Sequence, residues 1–160
     1  MSADLFFRRL RGLPAAERAA LKAAAANPLV PDVDAHDGFT TVYWGSGFRR
    51  ETARIAAALY FWHPARGTLR LPQALARAGG RDRRRHERLL ADVLAAPLAG
   101  LPPLLFEAVR RLHAARVPLD WPRFLNDLAR WDRPATDERD RIQDDWAECW
   151  LDAVSPPSRS

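Results

Sequence analysis

The chain has 160 residues, 48% of them apolar and 28% charged, and a single cysteine, Cys149. That length lets one domain bury roughly 70% of the surface its unfolded chain exposes. The composition is that of a globular protein, and one thiol excludes an intramolecular disulfide and a cysteine-rich zinc site. No apolar run is long enough to span a bilayer, and Met1 to Leu5 lack a signal peptide's basic and apolar regions, so a cytoplasmic protein without a membrane contact is expected. The 25 basic and 20 acidic residues are unevenly placed: residues 1 to 119 carry 19 basic and 10 acidic, residues 120 to 152 carry 5 and 10. Every basic residue except Lys22 is arginine, which grips phosphate bidentately and stacks on bases, although a GC-rich coding bias would give the same usage.

In chain order, Leu5, Phe6 and Leu10 alternate with Arg8, Arg9 and Arg11 as a short amphipathic helix. Leu13-Pro14 opens a second, through Glu17, Arg18, Leu21 and Lys22 to the alanines before Asn27-Pro28. Residues 27 to 38 read as a long irregular, mobile connection. Phe39 to Trp44 has the composition of a strand but nothing to pair with, so a short helix or packed loop is expected. Gly45-Ser46-Gly47 breaks the chain before a helix led by Arg49, Arg50 and Arg54 and buried along Ile55, Leu59 and Trp62, which His63-Pro64 ends. A turn at 65–69 precedes a brief helix through Leu71, Ala74, Leu75 and Ala78, stopped by Gly79-Gly80. Arg81 to Ala96 predicts a strong helix with Leu89, Leu90, Val93 and Leu94 inside, and Pro97 to Pro103 a connector to a helix burying Leu105, Val109 and Leu112.

From Trp121 the apolar positions fall at Phe124, Leu125, Leu128 and Trp131, one stripe of a 3.6-residue helix. Asp120 stands where an N-cap belongs and Pro122 falls in the first turn. Pro134 closes the pattern. A last stripe follows at Ile142, Trp146, Cys149, Trp150 and Val154 behind the cap candidates Thr136 and Asp137, and the two stripes are expected to bury each other. No strands pair and no unit repeats. The fold class is all-α: about eight helices in two packed lobes, about 1–96 and 97–155, with a disordered tail at 156–160.

The chemistry lies in the arginines. Arg81, Arg83, Arg84, Arg85 and Arg88 crowd a helix N-terminus, where cations oppose the helix dipole; the cluster reads as a phosphate contact, or as a solvated face with Asp82 and Glu87 as partners. Arg49, Arg50 and Arg54 follow glycines that would let backbone approach a phosphate; otherwise Glu51 simply pairs with Arg54. Arg110 and Arg111, read as exposed, extend a stripe with Arg18 and Lys22, which lie four apart on one face. Five tryptophans fall on apolar stripes and are core, and core is also favoured for Tyr43 and Trp44, which stand outside any firm helix.

A metal site is not expected. Asp32-x-Asp34-x-His36-Asp37-Gly38 has its glycine one place late for a calcium loop, and Tyr43 stands where the bidentate glutamate belongs. His63, His86 and His113 read as ending helices or exposed on them, without nearby carboxylates. Ser46 lacks a nucleophile's frame, Cys149 sits on an apolar face, and Asp144, Asp145 and Glu148 read as surface acids. Neither a catalytic constellation nor a cofactor is expected.

The run Leu119-Asp120-Trp121-Pro122, then Leu128, Trp131, Gln143 and Trp146-Ala147, resembles the C-terminal signature of the CasB family, the small subunit of the type I-E CRISPR surveillance complex, Cascade. Leu71, Ala74, Leu75, Gly79 and the arginine-rich helix after them resemble its middle, and Phe6-Phe7-Arg8 with Leu13 its start. The resemblance implies a non-enzymatic, two-lobed helical subunit. Two copies would line the complex beside its backbone and large subunits, stabilising CRISPR RNA paired to target DNA and offering a basic track to the displaced strand. By position, Lys22, the Arg83 to Arg88 helix, Arg110 and Arg111 match places where the family is basic, whereas residues 32 to 47 depart from its pattern. The rival reading is a structural assembly protein whose acidic 120 to 152 region docks a basic neighbour; a small metal nuclease using Asp144 and Asp145 is a third.

Overall fold

In a computed structural model the described residues are 2–26, 32–131 and 136–155, with the side chains of Asp32, Asp34 and 136–140 excepted. Among them are nine α-helices and one isolated bridge, so the all-α expectation holds with one helix more than predicted.

Helix α1 (Ala3–Arg11) begins where the Ser2 hydroxyl accepts the Leu5 N–H at 3.2 Å, and it buries Phe6, Phe7 and Leu10. Helix α2 (Ala15–Ala25) buries Leu21 and Ala25. Within the stretch read as an irregular connection, a 3-10 turn spans Asp32–Ala35 and inserts Val33 fully into the core; the rest of its centre, 27–31, lies outside the described residues. Helix α3 (Asp37–Tyr43) resolves the ambiguous segment as helix. Phe39 and Val42 point inward, and packing against that turn, α1 and α2 overrides the strand-like composition.

Helix α4 (Arg50–Trp62) is apolar nearly all round from Ala53 to Phe61, the pattern of a helix enclosed by others, and it packs on α2, α8 (Trp121–Trp131) and α7 (Leu101–Ala115). Helix α5 (Leu71–Ala78) starts with the Arg70 N–H donating to Gln73 Oε1 at 2.9 Å. A 3-10 turn at Gly80–Asp82 takes the first residues of the predicted arginine helix, so α6 runs Arg83–Ala95. Helix α7 begins earlier than expected, with Pro102 and Pro103 inside its first turn. A proline there loses no hydrogen bond, because first-turn N–H groups have no intrahelical acceptor.

The turn at 65–69 crosses the strand-like segment before α8. Gly67 N–H donates to Leu119 O at 3.0 Å, Leu119 N–H to Ala65 O at 3.2 Å and Asp120 N–H to Leu69 O at 2.9 Å. A Cβ at Gly67 would come within 2.9 Å of Pro118, so only glycine permits the crossing.

Helix α8 is capped as predicted, the Asp120 carboxylate accepting the Arg123 N–H at 3.0 Å. Its stripe faces two ways. Trp121 lies among Phe7, Tyr60 and Phe124, and Trp131 meets Trp146 edge-to-face at 5.3 Å. Helix α9 (Thr136–Val154) therefore shares only part of that stripe and packs more extensively on α5. The cap candidates Thr136 and Asp137, as side chains, and the tail at 156–160 lie outside the described residues. The buried side chains of all nine helices form one cluster.

Candidate nucleic-acid interface

The predicted arginines divide by what they touch. On α6 and the turn before it, Arg81, Arg84 and Arg88 are exposed and have no acidic partner among the described residues. Arg85 lies 3.8 Å from Asp82, both exposed. Such a pair contributes at most about 1 kcal/mol and yields readily to a competing phosphate. Arg83 has a structural task, its Nη2 donating to Val154 O at 2.8 Å at the C-terminus of α9, where a cation complements the helix dipole.

A cleft of about 320 Å³ lies between α6 and α7, lined by Arg85, His86, Glu107, Arg110 and Arg111 among others. Arg110 is exposed but clamps Glu107 bidentately, Nε at 2.9 Å and Nη2 at 2.6 Å. Arg111 is half-buried rather than exposed. It donates from Nε to Glu107 at 3.1 Å and from Nη1 to His86 Nδ1 at 3.0 Å. These two arginines, hydrogen-bonding first from Arg110, hold Glu107 below the usual carboxylate range. The carboxylate cancels part of the cleft's charge and fixes where both guanidiniums point.

Arg18 and Lys22 do not join Arg110 and Arg111; they line a separate groove of about 340 Å³ with Arg11, floored by Tyr60, Phe61 and Pro64. Arg11 was not among the predicted contacts because Gly12 to Pro14 interrupt the helical spacing that would have linked it to Arg18. Around α4, Arg54 pairs with Glu51, the simpler of the two alternatives, while Arg50 stands 5.9 Å above the Tyr43 ring and Arg49 is exposed at the helix start.

Of the histidines, His63 ends α4 as expected, though buried, and His113 is exposed, whereas His86, read as exposed, is buried. His86 recurs with Leu89, Leu90 and Val93 at helical spacing, a signal that places it on the inner face of α6. An arginine can only donate, so His86 Nδ1 accepts from Arg111 and the proton of the neutral ring sits on the other nitrogen. His63 Nε2 donates to Val117 O at 2.8 Å, so its Nδ1 accepts from His113 Nδ1 at 3.1 Å. Burial is the main cause holding both His63 and His86 below the ordinary histidine range, with the neighbouring His113 and Arg111 respectively acting the same way.

A group with a lowered folded pKa stabilises the fold above its unfolded value, 6.5, and loses that contribution as pH falls towards the folded value. Urea midpoints are therefore expected to fall between pH 7 and pH 5, and His63→Gln should flatten that slope. An unchanged slope in the variant would show that His63 does not carry it.

Asp127 was missed. It lies on the inner face of α8, three residues from Phe124 and four from Trp131, and is 3% exposed. Its Oδ2 accepts from Trp146 Nε1 at 2.9 Å and from Arg70 at 3.2 Å. Cys149 is half-buried near this pair, and burial pushes its thiol up, away from the reactive thiolate. Asp145 pairs with Arg130 at 2.9 Å. The Ser46 hydroxyl is buried and accepts the Phe48 N–H at 3.2 Å. Among the described residues no three His, Cys, Asp or Glu converge on a point that could hold a metal, and no helix is long and apolar enough to cross a membrane. Trp44, expected in the core, is 78% exposed.

The sequence model of the CRISPR-associated protein Cse2 family matches residues 17–150. The crystal structure of CasB from Thermus thermophilus is 25% identical and superposes with a TM-score of 0.73, over 96% of this chain and 100% of that one. A second Thermus thermophilus structure, of a CRISPR-associated protein of the Cse2 family, gives 25% and 0.76 over the same shares. CasB of M. ruber, at 21% identity and 0.71 over 95% and 93% of the two chains, shares the fold. No curated protein matches.

Proposed function

Since the chain belongs to the CRISPR-associated Cse2 family, we propose that it is a non-catalytic small subunit of a type I-E CRISPR surveillance complex, holding nucleic acid through the basic faces of α6, α7 and α2. It would stabilise CRISPR RNA paired to target DNA, and the displaced strand, beside the backbone and large subunits and a second copy of itself.

The observation that carries this reading is α6 and its leading turn: Arg81, Arg84 and Arg88 present charge to solvent with no carboxylate among the described residues to neutralise it, at a helix start that gains nothing from cations. Opening a duplex against a guide is a near-balanced exchange of base pairs, so modest backbone contacts by a helper protein suffice to tip it. Phosphate contacts position a strand without reading it. Sequence selection then belongs to the RNA.

The test is a salt titration of the protein against single-stranded DNA. With roughly four to six phosphate contacts the slope of log affinity on log salt is expected at roughly −3 to −4, and Arg84→Ala/Arg85→Ala/Arg88→Ala should lower its magnitude by about 2 for all sequences alike. All three side chains are exposed, so an unchanged melting temperature is expected of the same variant. A flat salt response would overturn the reading and favour the rival, an assembly protein docking through its acidic 120 to 152 region.

A further inference from the structure

Trp44 is the only one of the six tryptophans with an exposed ring; Trp62 is half-buried and the other four are buried. It is held outward by a turn that is itself firmly seated. On one side Tyr43 stacks on Phe39 at 5.6 Å and 7°, and on the other Phe48 meets Phe6 edge-to-face at 6.2 Å. Between them the buried Ser46 takes the Phe48 N–H on its hydroxyl, and its own N–H donates to Tyr43 O at 2.9 Å. Gly45 and Gly47 adopt φ of +76° and +82°, a left-handed backbone that lets the chain double back without a strained side chain.

Cations flank the turn that carries Trp44: Arg50 stands 5.9 Å above the ring of the adjacent Tyr43. Arg49 and Arg50 are exposed where the turn leads into α4, and Arg8, which pairs with Asp4 at 2.9 Å, and Arg9 line a depression against Thr41 and Val42 of α3. The only other large exposed apolar side chain among the described residues is Leu151, near the end of α9. A protein-docking hot spot sits inside a rim of further contacts that exclude water. An exposed indole on a turn flanked by arginines has the chemistry of a stacking platform, with the ring taking a base and the cations its flanking phosphates.

We propose that Trp44 stacks on an unpaired base of single-stranded nucleic acid, steered by Arg49, Arg50, Arg8 and Arg9. This rests on the nucleic-acid reading above and adds to it a preference for unpaired strands. Bases within a duplex are already stacked and offer the indole no face.

The experiment follows tryptophan emission of the full chain as an oligothymidylate of about a dozen residues is added, with a duplex of equal length as control. The single strand is expected to quench the exposed, red-shifted component. Trp44→Ala should weaken single-strand binding about 5- to 100-fold and Trp44→Phe much less, with duplex affinity and melting temperature unchanged. Salt-sensitive binding that Trp44→Ala leaves intact would overturn the stacking assignment alone and mark Trp44 as a protein contact. Equal losses for single strand and duplex would also overturn it. Absence of binding to either nucleic acid would remove the proposed function as well.

Discussion

Trp121→Ala is expected to remove about 4 kcal/mol of stability, near the middle of the range for truncating a buried tryptophan. Trp121 is fully buried, with Phe7 of α1 at 6.1 Å, Tyr60 of α4 at 5.7 Å, Phe124 at 5.5 Å and His63 at 6.5 Å between ring centroids. Its indole N–H also donates to Ala65 O at 3.1 Å, tying the 65–69 turn to the start of α8. Truncation opens a cavity walled by three separate helices, so no single shift can close it. In a chain of this size the loss corresponds to a drop in melting temperature of roughly 8–16 °C. Trp121→Phe should cost less, since most of the ring contact survives and only the Ala65 carbonyl loses its partner. Thermal and urea denaturation followed by circular dichroism would measure both. A loss below about 1 kcal/mol for the alanine variant would mean that the aromatic cluster repacks around the gap.

Asp127→Ala is expected to cost about 3 kcal/mol by a different route. Removing the carboxylate strands two donors at once: the buried Trp146 indole and the Arg70 guanidinium, whose side chain is 16% exposed. Breaking a buried ion pair from one side typically costs more than the pair itself contributes, because the remaining charge stays desolvated, and Arg70's residual access to water places the expectation at the lower end. Arg70 Nε already has no partner, so the guanidinium has little in reserve. Asp127→Asn should fall between wild type and alanine, since an amide oxygen can still take the Trp146 N–H. Replacing both members, Arg70→Met with Asp127→Leu, should recover much of the loss. Equal losses for the single and double variants would show that the ion pair is not what Asp127 supplies.

These two residues mark how far local pattern carries. Trp121 announces itself, because a helix stripe and an N-cap are set by neighbours within a few residues, and Asp120, Trp121 and Pro122 are where that pattern puts them. Asp127 sits on the same stripe, and beyond a loose ion pair to Arg123 at 3.9 Å its hydrogen-bond partners are Arg70 and Trp146, 57 and 19 residues away. The Pro102-Pro103 pair misled in the opposite sense: prolines read as a connector stand in a first turn, where helix geometry accepts them. The candidate interface divided similarly. That α6 is a basic helix was legible from its residues, whereas Arg83 reaching Val154, 71 residues on, and Arg111 reaching His86, 25 residues back, were not. Exposure of Trp44 was hidden as well, since the aromatics beside it, Tyr43 and Phe48, turn inward.

By itself the sequence determined an all-helical chain, most of its helices, the inward face of each amphipathic one and an excess of arginine over its first three-quarters, because periodicity, capping and charge are properties of neighbouring residues. Only the tertiary structure decided which arginines stay exposed to solvent, which distant partners the enclosed carboxylate and histidines meet, and which tryptophan faces outward. Those outcomes depend on what a distant helix brings against each side chain, and a single chain carries no local mark of that.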